Sequence, residues 1–307
     1  MPLGAVARPR LFAALFAALT CAVGLAGCGG AGSPGPTGGV SVAPTGPGSA
    51  GRPAVPTPDH VVIVVLENKD VDQIIGGSDA PYLTGLAGDG ANFTDAHAET
   101  HPSQPNYLAL FSGDTHGVHD DNCVDSLSGP NLGSALLGAG KTFTGYSEDL
   151  PGVGYIGCQD GGYARKHNPW VNFDNLPAEV NRPLSDLPSD YSALPTVAFV
   201  IPNLCHDMHD CDVAAGDDWM KQNLDGYVRW AQTHNSLLVV TFDESESTKG
   251  DNQIATVFAG PMVKAGEYSE GIDHYRILRT IEDMYGLDHA GKSAQADPIT
   301  DVWTTGS

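Results

Sequence analysis

Runs of apolar, largely β-branched residues that stop abruptly at a polar side chain recur along the chain. The first is HVVIVVLENK from His60, and the pattern returns in KTFTGYS from Lys141, TVAFVIPN from Thr196, SLLVVTFDE from Ser236 and QIATVFAG from Gln253. A run apolar on both faces that breaks at a charge reads as a buried strand reaching the carboxyl edge of a parallel sheet. Between these runs the period becomes helical, in PYLTGLAG from Pro81, LGSALLGAG from Leu132, DDWMKQNLDGYVRWAQTH from Asp217 and DHYRILRTIEDMYGL from Asp273. In the longest, Met220, Leu224, Tyr227 and Ala231 share one face, as in a helix covering a sheet. Strands alternating with helices predict one α/β domain, a mostly parallel central sheet flanked by helices, with ligand chemistry outside the carboxyl ends of the strands. No internal repeat is present.

The N-terminal segment follows a different rule. Arg8 and Arg10 precede the apolar run LFAALFAALTCAVGLAG, which is too short for a membrane span but has the build of a signal peptide. The run closes on LAGC, Leu25 to Cys28, which resembles the lipobox of bacterial lipoproteins and predicts a lipid anchor at Cys28; an ordinary signal peptide that contains a cysteine is the alternative. From Gly29 to Pro58 the chain is rich in Gly, Pro and Ser with hardly any large apolar side chain, and so predicts a flexible tether. The expected organisation is a signal peptide over 1–27, a tether over 28–58 and a catalytic domain over 59–305. The protein is thus expected to be exported and held at the outer face of the cell membrane, touching it through the lipid anchor alone.

Composition changes the picture twice. With 307 residues, 41% of them hydrophobic, the body can bury one large core. The formal net charge of -22 would repel a phosphate backbone and argues against nucleic acid as a partner. It does not exclude a small anionic substrate, because a bound cation and histidines can reverse the potential inside one cleft. Outside the leader and the anchor candidate, Cys123, Cys158, Cys205 and Cys211 remain, and an exported chain favours two disulfides. Three pairings are possible. Cys123 with Cys158 and Cys205 with Cys211 is favoured, since the second pair staples the short loop CHDMHDC; a zinc site from Cys205, His206, His209 and Cys211 is the alternative.

Three strand or helix ends carry candidate chemistry. Glu67 and Asn68 end the first strand, and Asp243 and Glu244 end the SLLVVTFDE strand. Adjacent carboxylates at a buried edge are costly unless a cation is shared, so oxygen donors in this pattern ask for one hard divalent ion such as Mg²⁺, Ca²⁺ or Mn²⁺. Each pair could equally cap a helix or face water. In HPSQPNYLALFSG, Ser103 stands where a helix begins, with Pro105 suited to its first turn. It can serve as a plain cap, or as a nucleophile set against unpaired amides and the positive end of the helix dipole. Among the histidines, His206 and His274 are singled out because both are expected at the same sheet edge, where they could hold phosphate oxygens or protonate a leaving group. His101 is a weaker candidate, and His97, His116, His119 and His209 are taken as structural.

Taken in order, VVIVVLENK, HPSQPNYLALFSG, PNLCHD, VVTFDES and HYRILRTIEDMYGL resemble the motifs of the bacterial phosphoesterase family that contains secreted acid phosphatases and phospholipase C-type enzymes. The resemblance spans Asp59 to Trp303 and implies the alkaline-phosphatase-like α/β fold. It implies Ser103 as nucleophile, with Glu67, Asn68, Ser103, Asp243 and Glu244 around the metal and His206 and His274 contacting phosphate. The phospholipase C branch follows its first motif with Arg, Ser and an aromatic and its acidic pair with His-Gly-Gly, whereas this chain has ENKDVDQ and DESEST. Those departures point to a monoesterase acting through a phosphoserine on a small phosphomonoester or a lipid headgroup, phosphoinositide monophosphates such as phosphatidylinositol 3-phosphate included. The alternatives are a phospholipase C-like or nucleotide phosphodiesterase and, from another class, a non-catalytic binding lipoprotein. The oligomeric state stays open.

Overall fold

The computed structural model describes residues 55–124, 126–248 and 250–304. The expected signal peptide, Cys28 and nearly all of the expected tether lie outside the described residues. Strand β1, His60–Leu66, occupies the middle of an eight-stranded sheet, and Val61 to Leu66 are each at most 2% exposed. That is why the run carries apolar residues on both faces.

The remaining strands are β2 (Ala91–Phe93), β3 (Phe143–Ser147), β4 (Asn181–Pro183), β5 (Val197–Ile201), β6 (Ser236–Phe242), β7 (Thr256–Ala259) and β8 (Gly266–Tyr268). Their order across the sheet is β8-β2-β7-β6-β1-β5-β3-β4. The block β6-β1-β5-β3-β4 is parallel throughout, while β7 runs antiparallel to both β6 and β2. All five apolar runs read from the sequence are strands of this sheet. The short β2, β4 and β8, three residues each, carry no such signature.

Among the described residues, besides the single turn Val71–Ile74, the α-helices are α1 (Pro81–Asp89), α2 (Ser103–Ser112), α3 (Leu132–Gly138), α4 (Val213–Ala231) and α5 (His274–Tyr285). The first packs on α4, whereas α2 packs on α3 and α5. Met220, Leu224, Tyr227 and Ala231 of α4 are all buried, as the helical period requires. Among the described residues no helix is long and apolar enough to cross a membrane.

Disulfides join Cys123 to Cys158 and Cys205 to Cys211, the favoured pairing, which removes the zinc alternative at that second pair. Neither bond includes a strand of the large sheet. The Trp170 indole packs against β3 at Gly145, where a Cβ would meet its ring at 2.1 Å. A side chain there must displace a buried aromatic. Gly145→Ala is expected to lower stability by about 1–3 kcal/mol, read as a lower urea midpoint with an unchanged slope.

Candidate active site

The parallel pairing of β1 with β6 ends in the register Leu66↔Phe242, so the residues that follow, Glu67 and Asp243, emerge side by side. The ladder continues one step further, with Asp243 N–H donating to Leu66 O at 3.0 Å. Asn68 N–H donates to Asp243 Oδ1 at 2.9 Å, and Glu67 N–H donates to the Asp207 carbonyl at 2.8 Å. Sheet register therefore gathers Glu67, Asp243 and the loop after β5 at one edge.

Helix α2 brings the hydroxyl. Its N-cap is Pro102, so Ser103 is the first helical residue and not the cap, and its side chain makes no capping bond. Instead Ser103 Oγ–H donates to Glu67 Oε2 at 2.9 Å and lies 3.3 Å from Glu244 Oε1. The amide at the helix start is capped from outside, Gln104 N–H donating to Asp121 Oδ1 at 3.0 Å. This frees Ser103 from the capping role. One turn on, Tyr107 O–H donates to Glu67 Oε1 at 2.6 Å. All ten residues of α2 are buried, and Ser103 is 1% exposed.

His167, from the short turn Arg165–His167, completes the cluster. Its Nε2 lies 3.0 Å from Glu67 Oε1 and its Nδ1 lies 3.1 Å from Asp207 Oδ2, while its ring stacks on Tyr107. Burial alone would raise the Glu67 carboxyl, yet the His167 charge and the hydrogen bonds from His167 and Tyr107 hold it down at about 2. Burial likewise opposes the imidazolium, and the Glu67 charge with Asp207 outweighs it, raising His167 to about 10. The pair is ionised across the neutral range.

The second acidic pair behaves oppositely. Burial, then the charges of Glu67 and Glu244, push Asp243 well above the usual carboxylate range. Burial and the Glu67 charge raise Glu244 to about 8, against a hydrogen bond from Ser103. Asp243 Oδ2 is buried with no hydrogen-bond partner. Three crowded carboxylates, a hydroxyl and an orphaned buried oxygen fit a hard divalent cation. Glu67, His167 and Asp207 also have spacing suited to a metal ion, their ligand atoms lying within 4.8 Å of one another. In this second group both His167 nitrogens are already engaged by Glu67 and Asp207, so the oxygen set fits a hard ion better.

The structure thus brings together Glu67, Ser103, Asp243 and Glu244 from the predicted set, with Asn68 joining through its backbone. It does not bring His206 or His274 to them. His206 pairs with Glu148 at 2.9 Å, beyond the end of β3. His274 is buried with both ring nitrogens engaged, Nδ1 on Glu99 at 2.6 Å and Nε2 on the Phe242 carbonyl at 2.9 Å. That ring steadies the last residue of β6 and has no nitrogen to offer a phosphate. The weaker candidate His101 does join the cluster, Nδ1 lying 2.6 Å from Glu244 Oε2.

Four participants escaped the sequence reading: Tyr107, His167, Asp207 and Lys166. Lys166 Nζ donates to Asp121 Oδ2 at 2.8 Å and lies 3.4 Å from His209 Nε2, at a cavity of ≈ 380 Å³ also lined by the Cys123–Cys158 pair. The visible signal was RKH, Arg165 to His167, three basic residues together in an acidic chain.

The Phosphoesterase family model matches residues 77–288. The chain belongs to this family. A relative from Mycobacterium tuberculosis (strain ATCC 25618 / H37Rv), phosphatidylinositol-3-phosphatase, is 53% identical over 253 residues, covering 81% of this chain and 84% of the relative. A probable acid phosphatase from Kluyveromyces lactis is 30% identical over 250 residues, covering 75% of this chain and 59% of its own length. Among solved structures, an alkaline phosphatase superfamily protein from Vibrio parahaemolyticus superposes with TM-score 0.55 at 13% identity, over 80% of this chain and 71% of that one. That similarity supports the alkaline-phosphatase-like fold expected of the family.

His167→Gln leaves a buried carboxylate uncompensated and is expected to cost about 3 kcal/mol or more in metal-free protein at pH 5–6. Because the folded value of about 10 exceeds the ordinary imidazole value, the ion pair's contribution is complete below about 6.5 and disappears as pH rises through 10. Urea unfolding of wild type and variant with chelator present should show the gap closing over that range.

Proposed function

We propose that the protein is a metal-dependent acid phosphatase that hydrolyses phosphate monoesters, phosphoinositide monophosphates among them, through a phosphoserine at Ser103. The observation that carries the reading is the Ser103 hydroxyl held between two carboxylates at the first residue of a buried helix. The 53% identical phosphatidylinositol-3-phosphatase and the acid phosphatase relatives support the monoester substrate class.

Glu67, Asn68, Ser103, Asp243 and Glu244 would hold one divalent ion. When bound, it neutralises the crowded carboxylates and draws charge from the phosphate oxygens. The chain's own part is positioning and electrostatics, which is most of what phosphoryl transfer needs from a protein. His167 and Tyr107 occupy Glu67 Oε1, which leaves Oε2 to orient Ser103. Ser103 Oγ forms a bond to phosphorus as the P–O ester bond breaks, and the hydroxyl proton, released toward the carboxyl oxygens at 2.9 and 3.3 Å, ends on the departing alcohol. The positive end of α2 and Lys166 favour the anionic group at this mouth. Water then attacks phosphorus from the vacated side, releasing phosphate and restoring the hydroxyl.

Export through residues 1–27, anchoring at Cys28 and a tether to residue 58 belong to the same reading. Two disulfides near the site suit an oxidising compartment.

Ser103→Ala is expected to reduce p-nitrophenyl phosphate turnover by roughly 10³-fold or more, with bis-p-nitrophenyl phosphate a poor substrate throughout; near-normal turnover by the variant rules the mechanism out. Metal removal has a separate readout. At pH 7 Glu244, raised to about 8, largely retains its proton in the metal-free site, so adding Mg²⁺, Ca²⁺ or Mn²⁺ in weak buffer should release about one proton per site. A dye-monitored titration without release would count against the oxygen ligand set.

A further inference from the structure

The segment LPGVGYIGCQ, Leu150 to Gln159, contains no charged residue in a chain of formal net charge -22. It exposes Ile156 at 69% and Val153 at 50%, the two most exposed large hydrophobic side chains among the described residues. We propose that this loop is a membrane-docking edge that inserts Val153 and Ile156 into the lipid interface while the site works on a phosphorylated headgroup. The proposal rests on the lipid-monoester part of the functional reading and adds the surface that reaches such a substrate.

The loop is pinned in shape. Gly154 N–H donates to Asn181 O at 2.8 Å, and Asn181 Nδ2–H donates to Tyr155 O at 2.9 Å. Arg165 Nη1–H donates to Ile156 O at 2.9 Å, and Arg165 N–H to Cys158 O at 2.9 Å. The Cys123–Cys158 bond closes its far end. Apolar side chains displayed on such a frame enter an interface without a further cost of ordering the loop. Tyr155 adds an aromatic ring of the kind that settles at headgroup level. Beneath the loop lies a cleft of ≈ 140 Å³ whose lining includes Tyr155, Ile156, Trp170, Val171, Phe173 and Leu176. Apolar surface thus continues from the tip into the body.

The same bonds connect the loop to the chemistry. Arg165, which holds Ile156, precedes Lys166; Lys166 is bound to Asp121, and Asp121 caps Gln104 beside Ser103. Cys158 and Gln159 at the end of the loop line the same cavity as Asp121 and Lys166, so a bilayer touching the loop would sit next to that cavity. The chain's net negative charge repels an anionic surface at long range, so apolar insertion and not counter-charge must drive adsorption. This sets the loop apart from a polybasic membrane patch, whose grip weakens as salt rises.

The test compares wild type with the double variant Val153→Ser, Ile156→Ser. Both residues are exposed, so thermal unfolding should be unchanged. Substrates are phosphatidylinositol 3-phosphate in phosphatidylcholine vesicles, its water-soluble short-chain form, and p-nitrophenyl phosphate. The double variant is expected to lose about tenfold in kcat/KM on vesicles, consistent with removing apolar insertion of two side chains, and to stay within about twofold on both soluble substrates. Its co-sedimentation with vesicles should fall in parallel, and wild-type binding should not weaken between low and 0.5 M salt. Unchanged vesicle turnover, equal loss on soluble and vesicle substrates, or a shift from dimer to monomer in the variant would each overturn the docking role. If wild type cleaves p-nitrophenyl phosphate but neither lipid, the lipid-substrate reading fails, while vesicle co-sedimentation still decides the docking edge by itself.

Discussion

One buried ion pair sets the state of everything near the serine. A carboxylate at 0% exposure would ordinarily take up a proton, and Glu67 stays ionised because the His167 imidazolium stands 3.0 Å away. That negative charge then acts outward, orienting the Ser103 hydroxyl and helping to raise Asp243 and Glu244. Asp207 holds the other nitrogen of His167 and, through its carbonyl, the backbone of Glu67. The triad closes on itself: two carboxylates and one cation, each fixed by the others and by the sheet edge. Buried pairs of this kind contribute little net stability, but removing one partner is expensive, so the arrangement is better understood as specifying geometry than as holding the fold.

The sheet register makes this arrangement possible. Parallel strands that end level deliver their following residues to one place, and β1 and β6 end level at Leu66 and Phe242. The helices add what strands cannot. The start of α2 supplies a hydroxyl with its own hydrogen bonds directed away from the helix, since Asp121 takes the capping position. His274, at the start of α5, steadies the Phe242 carbonyl from behind. A residue can thus matter to the site without facing it.

These differences in role explain how much was legible in the chain. The central strands, the covering helices and the acidic pairs at strand ends follow local rules of period and punctuation, and so did Ser103 at a helix start. The favoured cysteine pairing was legible from the short loop between Cys205 and Cys211. His167 and Asp207 were not, because each acts through a partner far away in sequence and neither ends an apolar run. His206 and His274 satisfied the local rule, but their rings pair with Glu148 and Glu99, carboxylates that no local pattern marks as their partners. The three-residue strands at the sheet margins are too short to show a period, and only their pairing defines them.

The placement of the two cystine bridges carries one more consequence. One ties the Asp121 segment to the segment leading into Lys166 and His167; the other closes the loop that holds Asp207 and His209. Neither braces the sheet. Under reducing conditions the rim around the serine would lose its two covalent ties while the β-sheet kept its packing. Reduction would thus act on the surroundings of the serine before it acts on the fold.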